Sequence, residues 1–416
     1  MAHKSTNARR ACGGPRTCTL VAVRRKTRLL LRRAACVFVL TTFAALVLVA
    51  PLPADADTPI TWFVETGAPI PNSTTPCPAR TASHPRVGKP SSAVKCALGG
   101  DTVNIAAATF VDHVIANKAL TFVGAGSTTS IIDGNGTGAV FTVAAGKFIT
   151  FSDIGLRNGV TGLLVKGGMS ATRLNVGPNT GNGVVVSTPK AVQIGPAADI
   201  HHNGLDGIRI TRASGDRFTL SGYRATLRSD TIIHDNAGNG VTVGVPYGST
   251  LPPIVNVQLG DADITGNQRG ISVRDDGSTD RSNVILLDND VYQNRGEGLW
   301  SGRAVIGQPI DGANPPTFAQ NKFHCNDLNQ VVFDGGGEQD YPFPVDSPTH
   351  FCDAGSNAVY CYAAKQVFGI FAQGNAAVFV RHTEFEGGGT GLKDFSAQSG
   401  STINVSNNCT AITVCP

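Results

Sequence analysis

The chain has 416 residues, with 34 basic and 30 acidic side chains and a formal net charge of +4. Residues 1–56 hold ten of the Lys and Arg and a single Asp, so the remainder carries 24 basic and 29 acidic residues, a net charge of about −5. A mildly acidic body lacks the basic footprint of a nucleic-acid binder, and no stretch after residue 56 reaches the 18 apolar residues of a membrane span.

The first element is a leader. Arg24, Arg25, Lys26, Arg28, Arg32 and Arg33 precede an uncharged apolar run from Ala34 to Ala50, and Ala54-Asp55-Ala56 supplies small residues for cleavage. This pattern predicts a secretory signal peptide over 1–56, cut after Ala56, and a mature protein that is secreted, periplasmic or on the cell surface. Residues 57–95, rich in Pro, Ser and Thr, are expected to form a loop or cap over whatever follows. Seven cysteines remain beyond the leader. Export makes disulfides plausible, and the expected pairs are Cys77–Cys96 and Cys409–Cys415. No Cys/His grouping has zinc-site spacing along the chain, so no zinc site is expected.

From residue 96 the chain repeats itself. Asn158, Asn179, Asn203, Asn236, Asn267 and Asn294 are spaced 21 to 33 residues apart, with a degenerate copy at Asn326. Glycine follows at Gly162, Gly183, Gly207, Gly240, Gly270 and Gly298, with Gln330 in the last copy. Period-2 apolar pairs come next, such as Val184/Val186, Ile208/Ile210 and Val241/Val243. Period 2 means strand, and short strands repeating at this length mean a β-solenoid with one copy per coil. Stacked coils would place the asparagines in a ladder at a corner, with glycine supplying the positive φ of a tight turn.

The stretches "GDTVNIAAATF" (100–110), "KALTFVGAGSTTSIIDGNGTGAVFTV" (118–143) and "FITFSDIGLRNG" (148–159) resemble the opening coils of right-handed parallel β-helix repeat proteins of the pectin-lyase-like superfamily. The resemblance implies an all-β, single-stranded right-handed parallel β-helix over 96–416, interrupted by a loop at about 335–352. It also implies a superfamily of polysaccharide lyases, glycoside hydrolases, epimerases and adhesins. Of the hydrolase signatures NTD, DD, GHG and RIK, only Asp275-Asp276 is present, and the epimerase DPHE is missing.

Stacking allows a search for chemistry. If the residue three before each Asn points inward, its neighbours point outward. Adjacent coils then present Asp261, Asp263, Asp288 and Asp290 as a block, flanked by His234 and Tyr292. Four close carboxylates need a cation or raised pKa values, which makes them a candidate calcium site. Alternatively, Asp263 and Asp290 form a catalytic acid/base pair near the separation used by retaining glycosidases. Arg274, Tyr292 and Trp300 are candidate sugar contacts. The expected function is interaction with a polysaccharide or cell-surface glycan by a monomer, through lyase or hydrolase action on an acidic polysaccharide; the alternative is a non-catalytic, adhesin-like surface protein.

Overall fold

Alternation of apolar and polar residues over three to five positions leaves each segment one face to bury, and repetition offers it an identical partner. The computed structural model shows the result: strands stack in parallel in three columns, and successive coils of the chain visit each column in turn. It describes residues 58–72, 74–221, 223–224, 227–228, 231–244, 255–274, 283–287, 289–302, 305–306, 318–319, 321–324, 326–334, 337–338, 358–360, 368–373, 376–381, 384–386, 393–398 and 400–406. These lie within the compact unit Ala56–Pro416.

The first column begins with Thr61–Val64 and continues through Thr102–Ile105, Leu120–Gly124 and the start of Phe148–Arg157. The second includes Asp199–His201, Thr231–His234, Ala262–Thr265 and Asp290–Tyr292. The third stacks eleven described strands, from Val114–Ala116 to Lys393–Ala397. Every pairing within these columns is parallel, which is the parallel β-helix architecture expected for the pectin-lyase-like superfamily. The predicted inward residues Val176, Ile200, Ile233, Ile264, Val291 and Phe323 are all buried. Phe122, Phe141 and Phe151 pack edge-on and stacked against one another in the early coils. Each such side chain contributes about 1.5–3 kcal/mol by leaving water.

The asparagine ladder is buried at the turn between the second and third columns. Each side-chain amide donates to the amide oxygen of the next coil: Asn179 to Asn203 (3.0 Å), Asn203 to Asn236 (2.9 Å), Asn236 to Asn267 (2.9 Å), Asn267 to Asn294 (3.2 Å) and Asn294 to Asn326 (2.9 Å). From Asn203 onward the same oxygen also accepts the preceding asparagine's backbone N–H. The amide donates a second time to a strand carbonyl one coil back, such as Val176, Ile200 and Ile233 for Asn203, Asn236 and Asn267. Gln330 ends the series by accepting from the Asn326 amide.

Two expectations are corrected. Asn158 is not a rung: it is exposed, donates to Asp133, and lies one residue before Gly159, whose N–H is bonded to Asn179. The column glycines do not supply positive φ, for none of them is among the left-handed residues. They supply space. A Cβ on Gly207 would lie 2.8 Å from the Asn236 amide nitrogen and 2.7 Å from the Gly240 carbonyl oxygen. The left-handed corner residues are instead His202, Asp235, Gly266 and Gln293, each just before its asparagine.

The segment preceding Thr102–Ile105 closes the first coil. Thr61–Val64 pairs with Thr102–Ile105 on one edge and with Arg86–Val87 on the other. The short helix Pro90–Cys96, with Pro at its start, buries Ala93 and Val94 in the common core, and Lys118 bonds its last carbonyls. The Cys77–Cys96 disulfide is formed, with Cα atoms 5.6 Å apart. Cys409, Cys415 and most of the loop expected at 335–352 lie outside the described residues. Among the described residues no helix is long and apolar enough to cross a membrane.

Asp101 fastens this end. Its buried carboxylate accepts from Arg80, from the Trp62 indole, and from the N–H groups of Ile60 and Leu98. Burial alone would raise its pKa, but these hydrogen bonds outweigh burial and bring it from 3.8 to about 2. A depressed pKa stabilises the folded state above the unfolded value, and that stability drains away as pH falls from about 4 towards 2. Asp101→Asn should therefore cost about 2 kcal/mol near neutral pH and flatten the acid limb of the stability curve, as read by urea unfolding at several pH values. In the ladder, Asn267→Ala strips acceptors from both the amide and the N–H of Asn236, and should cost roughly 2–4 kcal/mol. Asn158→Gly, outside the ladder, should cost less than about 1 kcal/mol.

Candidate functional site

Inward positions are committed to packing, so chemistry falls to the outward residues. The second column carries it. On its outer side the strand pairings bring Asp199 opposite Ile232, His201 opposite His234, Asp263 opposite Asp290, and Thr265 opposite Tyr292. Asp263 and Asp290 are thus direct cross-strand partners, a coil spacing of about 4.8 Å apart at the backbone, and both are half-buried.

Tyr292 completes this group. It shares a strand face with Asp290 and is hydrogen-bonded to Thr265 on the neighbouring coil. Burial, then the nearby Asp263 and Asp290 carboxylates, raise the phenol above its ordinary value of 10.0, against the opposing Thr265 hydrogen bond. Two carboxylates and a phenol held in its protonated form offer acceptors and a donor in one place.

The rest of the expected block is not assembled as a square. Asp261 stands one residue before the strand Ala262–Thr265, at the corner between columns, with a left-handed φ of 49°. The corner breaks the alternation that would have aligned it with Asp263. Asp288 lies outside the described residues. The described residues therefore give a calcium ion two aligned carboxylates, from Asp263 and Asp290.

Arg274 and Trp300 sit on a different column from Tyr292. Arg274 ends the third-column strand Ile271–Arg274, and Trp300 follows on the next coil in Leu299–Gly302. The half-buried indole lies 5.5 Å from the Arg269 guanidinium and 5.7 Å from that of Arg274. Arg269 is itself ion-paired with Glu297. Both guanidinium groups are within cation–π range of the indole.

Sequence spacing missed a second group on the two coils before Asp263. His201 and His234 stack with ring centroids 5.3 Å apart. His201 Nδ1 is 2.9 Å from His202 Nδ1. His234 Nδ1 lies 2.8 Å from Asp235 Oδ2, and His234 Nε2 lies 3.1 Å from Asp199 Oδ1. Asn175 donates to the other Asp199 oxygen at 3.2 Å. Burial holds the His201 imidazole below its ordinary pKa; Asp199 opposes this, while His234 and His202 add to it. His202, His234 and Asp235 offer ligand atoms all within 4.8 Å of one another. Its members come from two coils, so spacing along the chain does not show them together.

No protein-family model matches the chain, and no curated protein matches it. Similar solved structures include the A-module of mannuronan C-5 epimerase AlgE4 from Azotobacter vinelandii, at 14% identity over 74% of this chain and 91% of that one, with a TM-score of 0.42. The catalytic unit of a GH87 α-1,3-glucanase from Streptomyces thermodiastaticus is 12% identical over 77% of this chain and 66% of that one, TM-score 0.38. Pectate lyase Pel9A is 12% identical over 84% and 76%, TM-score 0.32.

The Tyr292 environment can be read directly. In an alkaline absorbance titration, Tyr292→Phe should remove a tyrosine transition lying above the ordinary range. Asp263→Asn and Asp290→Asn should each shift that transition down towards 10. Because the folded pKa is the raised one, the contribution of Tyr292 to stability should be lost as pH climbs beyond 10.

Proposed function

We propose that the protein acts on a polysaccharide laid along the outer face of the second column, and cleaves a glycosidic bond at Asp263, Asp290 and Tyr292. The observation that carries this reading is the cross-strand pairing of Asp263 with Asp290 beside a phenol whose pKa is raised. We take the backbone coil spacing of about 4.8 Å between Asp263 and Asp290 to suit the separation of about 5–5.5 Å at which retaining glycosidases use one carboxylate as nucleophile and one as acid. The protonated Tyr292 is a proton donor for the departing oxygen or for a hydroxyl of the sugar.

The charge of the face bears on the substrate. Asp199, Asp263 and Asp290 share one outward row of the column, with Ile232 between the first two and Lys322 after the last, and Asp235 stands at the adjoining corner; this surplus of carboxylates disfavours an anionic chain without a bridging cation. A neutral glycan is therefore the substrate class proposed, with an acidic glycan bridged by calcium through Asp263 and Asp290 as the second reading. Export through the leader at 1–56 belongs to the same proposal, since it brings the protein to extracellular polymers.

The test is a screen of the mature protein against neutral and acidic polysaccharides, with calcium and with chelator, scoring new reducing ends and unsaturated products. Cleavage of a neutral glycan in chelator is the expected result. Asp263→Asn and Asp290→Asn should each lower the rate by 10²-fold or more, and Tyr292→Phe by about 10²–10⁴-fold if it transfers a proton. Binding without turnover on every substrate would replace this reading with that of a non-catalytic glycan-binding protein.

A further inference from the structure

The group at His202, His234 and Asp235 stands outside the carboxylate pair and needs its own account. Its members are brought together by stacking. His201 and His234 are cross-strand partners, so the next residue of each coil, His202 and Asp235, falls at the same corner. Both corner residues adopt left-handed backbone, with φ of 53° each. That conformation is uncommon for non-glycine residues and tolerated best by short polar ones.

The hydrogen-bond geometry around His234 is the second observation. Its two ring nitrogens each face a carboxylate oxygen, Nδ1 towards Asp235 and Nε2 towards Asp199. A neutral imidazole has one N–H and can donate to one of them only. With the proton on Nε2, Asp199 accepts it, and Asn175 in turn holds Asp199. The Nδ1 lone pair then points to the side where Asp235 and His202 gather. A histidine whose far nitrogen is anchored by a carboxylate is the usual outer shell of a histidine metal ligand.

We propose that His202, His234 and Asp235 form a three-ligand site for a borderline divalent cation such as Zn²⁺, with Asp199 as the positioning residue for His234. Two imidazoles and one carboxylate match the preference of Zn²⁺ for nitrogen-containing sets and differ from the all-oxygen shells of calcium. His202 and Asp235 are exposed. A bound ion would therefore keep its fourth tetrahedral position open to solvent, as in sites that bind a water or a substrate atom rather than purely structural ones. This inference is independent of the glycan reading.

The test uses chelator-stripped mature protein, purified without a histidine tag, titrated with Zn²⁺ by calorimetry and with Co²⁺ by visible absorption. One ion per chain, a tetrahedral Co²⁺ spectrum and a melting temperature raised by Zn²⁺ but not by Ca²⁺ are expected. His234→Gln should abolish uptake. His202→Asn and Asp235→Asn, chosen because asparagine tolerates left-handed backbone, should each weaken it at least tenfold. Asp199→Asn should weaken it 10–100-fold without changing the stoichiometry. Asp263→Asn, which tests the glycan site, should leave Zn²⁺ affinity unchanged. No uptake by the parent from millimolar Zn²⁺ would overturn the proposal. So would a His202→Asn/His234→Gln double variant that folds and binds as tightly as the parent.

Discussion

A primary amide buried in a protein has two N–H donors and one oxygen to satisfy, and leaving any of them unmade costs more than making it gains. In a stack of coils the solution is translational. Each asparagine gives one hydrogen to the next amide and one to a strand carbonyl, and its own oxygen takes what the coil before it offers. The arrangement works only if every coil has the same residue in the same place. It fixes the register of the parallel strands, and register decides which side chains face in and which face out. Loop length between rungs is left unconstrained, which is how intervals of 21 to 33 residues coexist with an unbroken ladder.

That dependence explains what could be read from the chain. The spacing of Asn and Gly, followed by alternating apolar residues, sufficed for the coil, the inward column and the pairing of Asp263 with Asp290. The reason for the glycines could not be read. From sequence, a repeated glycine suggests a turn, whereas here it makes room for the asparagine amide of the adjacent coil. A second ladder was also missed. Asn289 donates to Asn321 at 2.8 Å, at the corner between the first and second columns. Its signal was faint, since earlier coils hold Thr231 and Ala262 at this position and asparagine enters only at Asn289.

The outward face was half legible for a related reason. Parity predicts orientation within a strand and fails at its first corner, which is why Asp263 fell where expected and Asp261 did not. Metal-ligand spacing was uninformative because it presumes ligands on one turn or one helix. In a solenoid, residues 32 or 33 apart, such as His202 and His234 or Asp235, can be neighbours. Strand parity followed along the stack reached His234 and stopped short of the corner, where His202 and Asp235 lie.

The strand Thr61–Val64 has a consequence for how molecules of this kind meet one another. An open end coil is a ready template on which a second solenoid could continue the same columns, end to end, into a fibre. Here Thr102–Ile105 is covered by Thr61–Val64. The outer edge of that strand is taken along Phe63 and Val64 by Arg86 and Val87, while the disulfide between Cys77 and Cys96 keeps the intervening segment tethered nearby. The starting end is thereby made a poor seed for self-assembly, and a reducing environment that opened this one bond would loosen the barrier to filament growth.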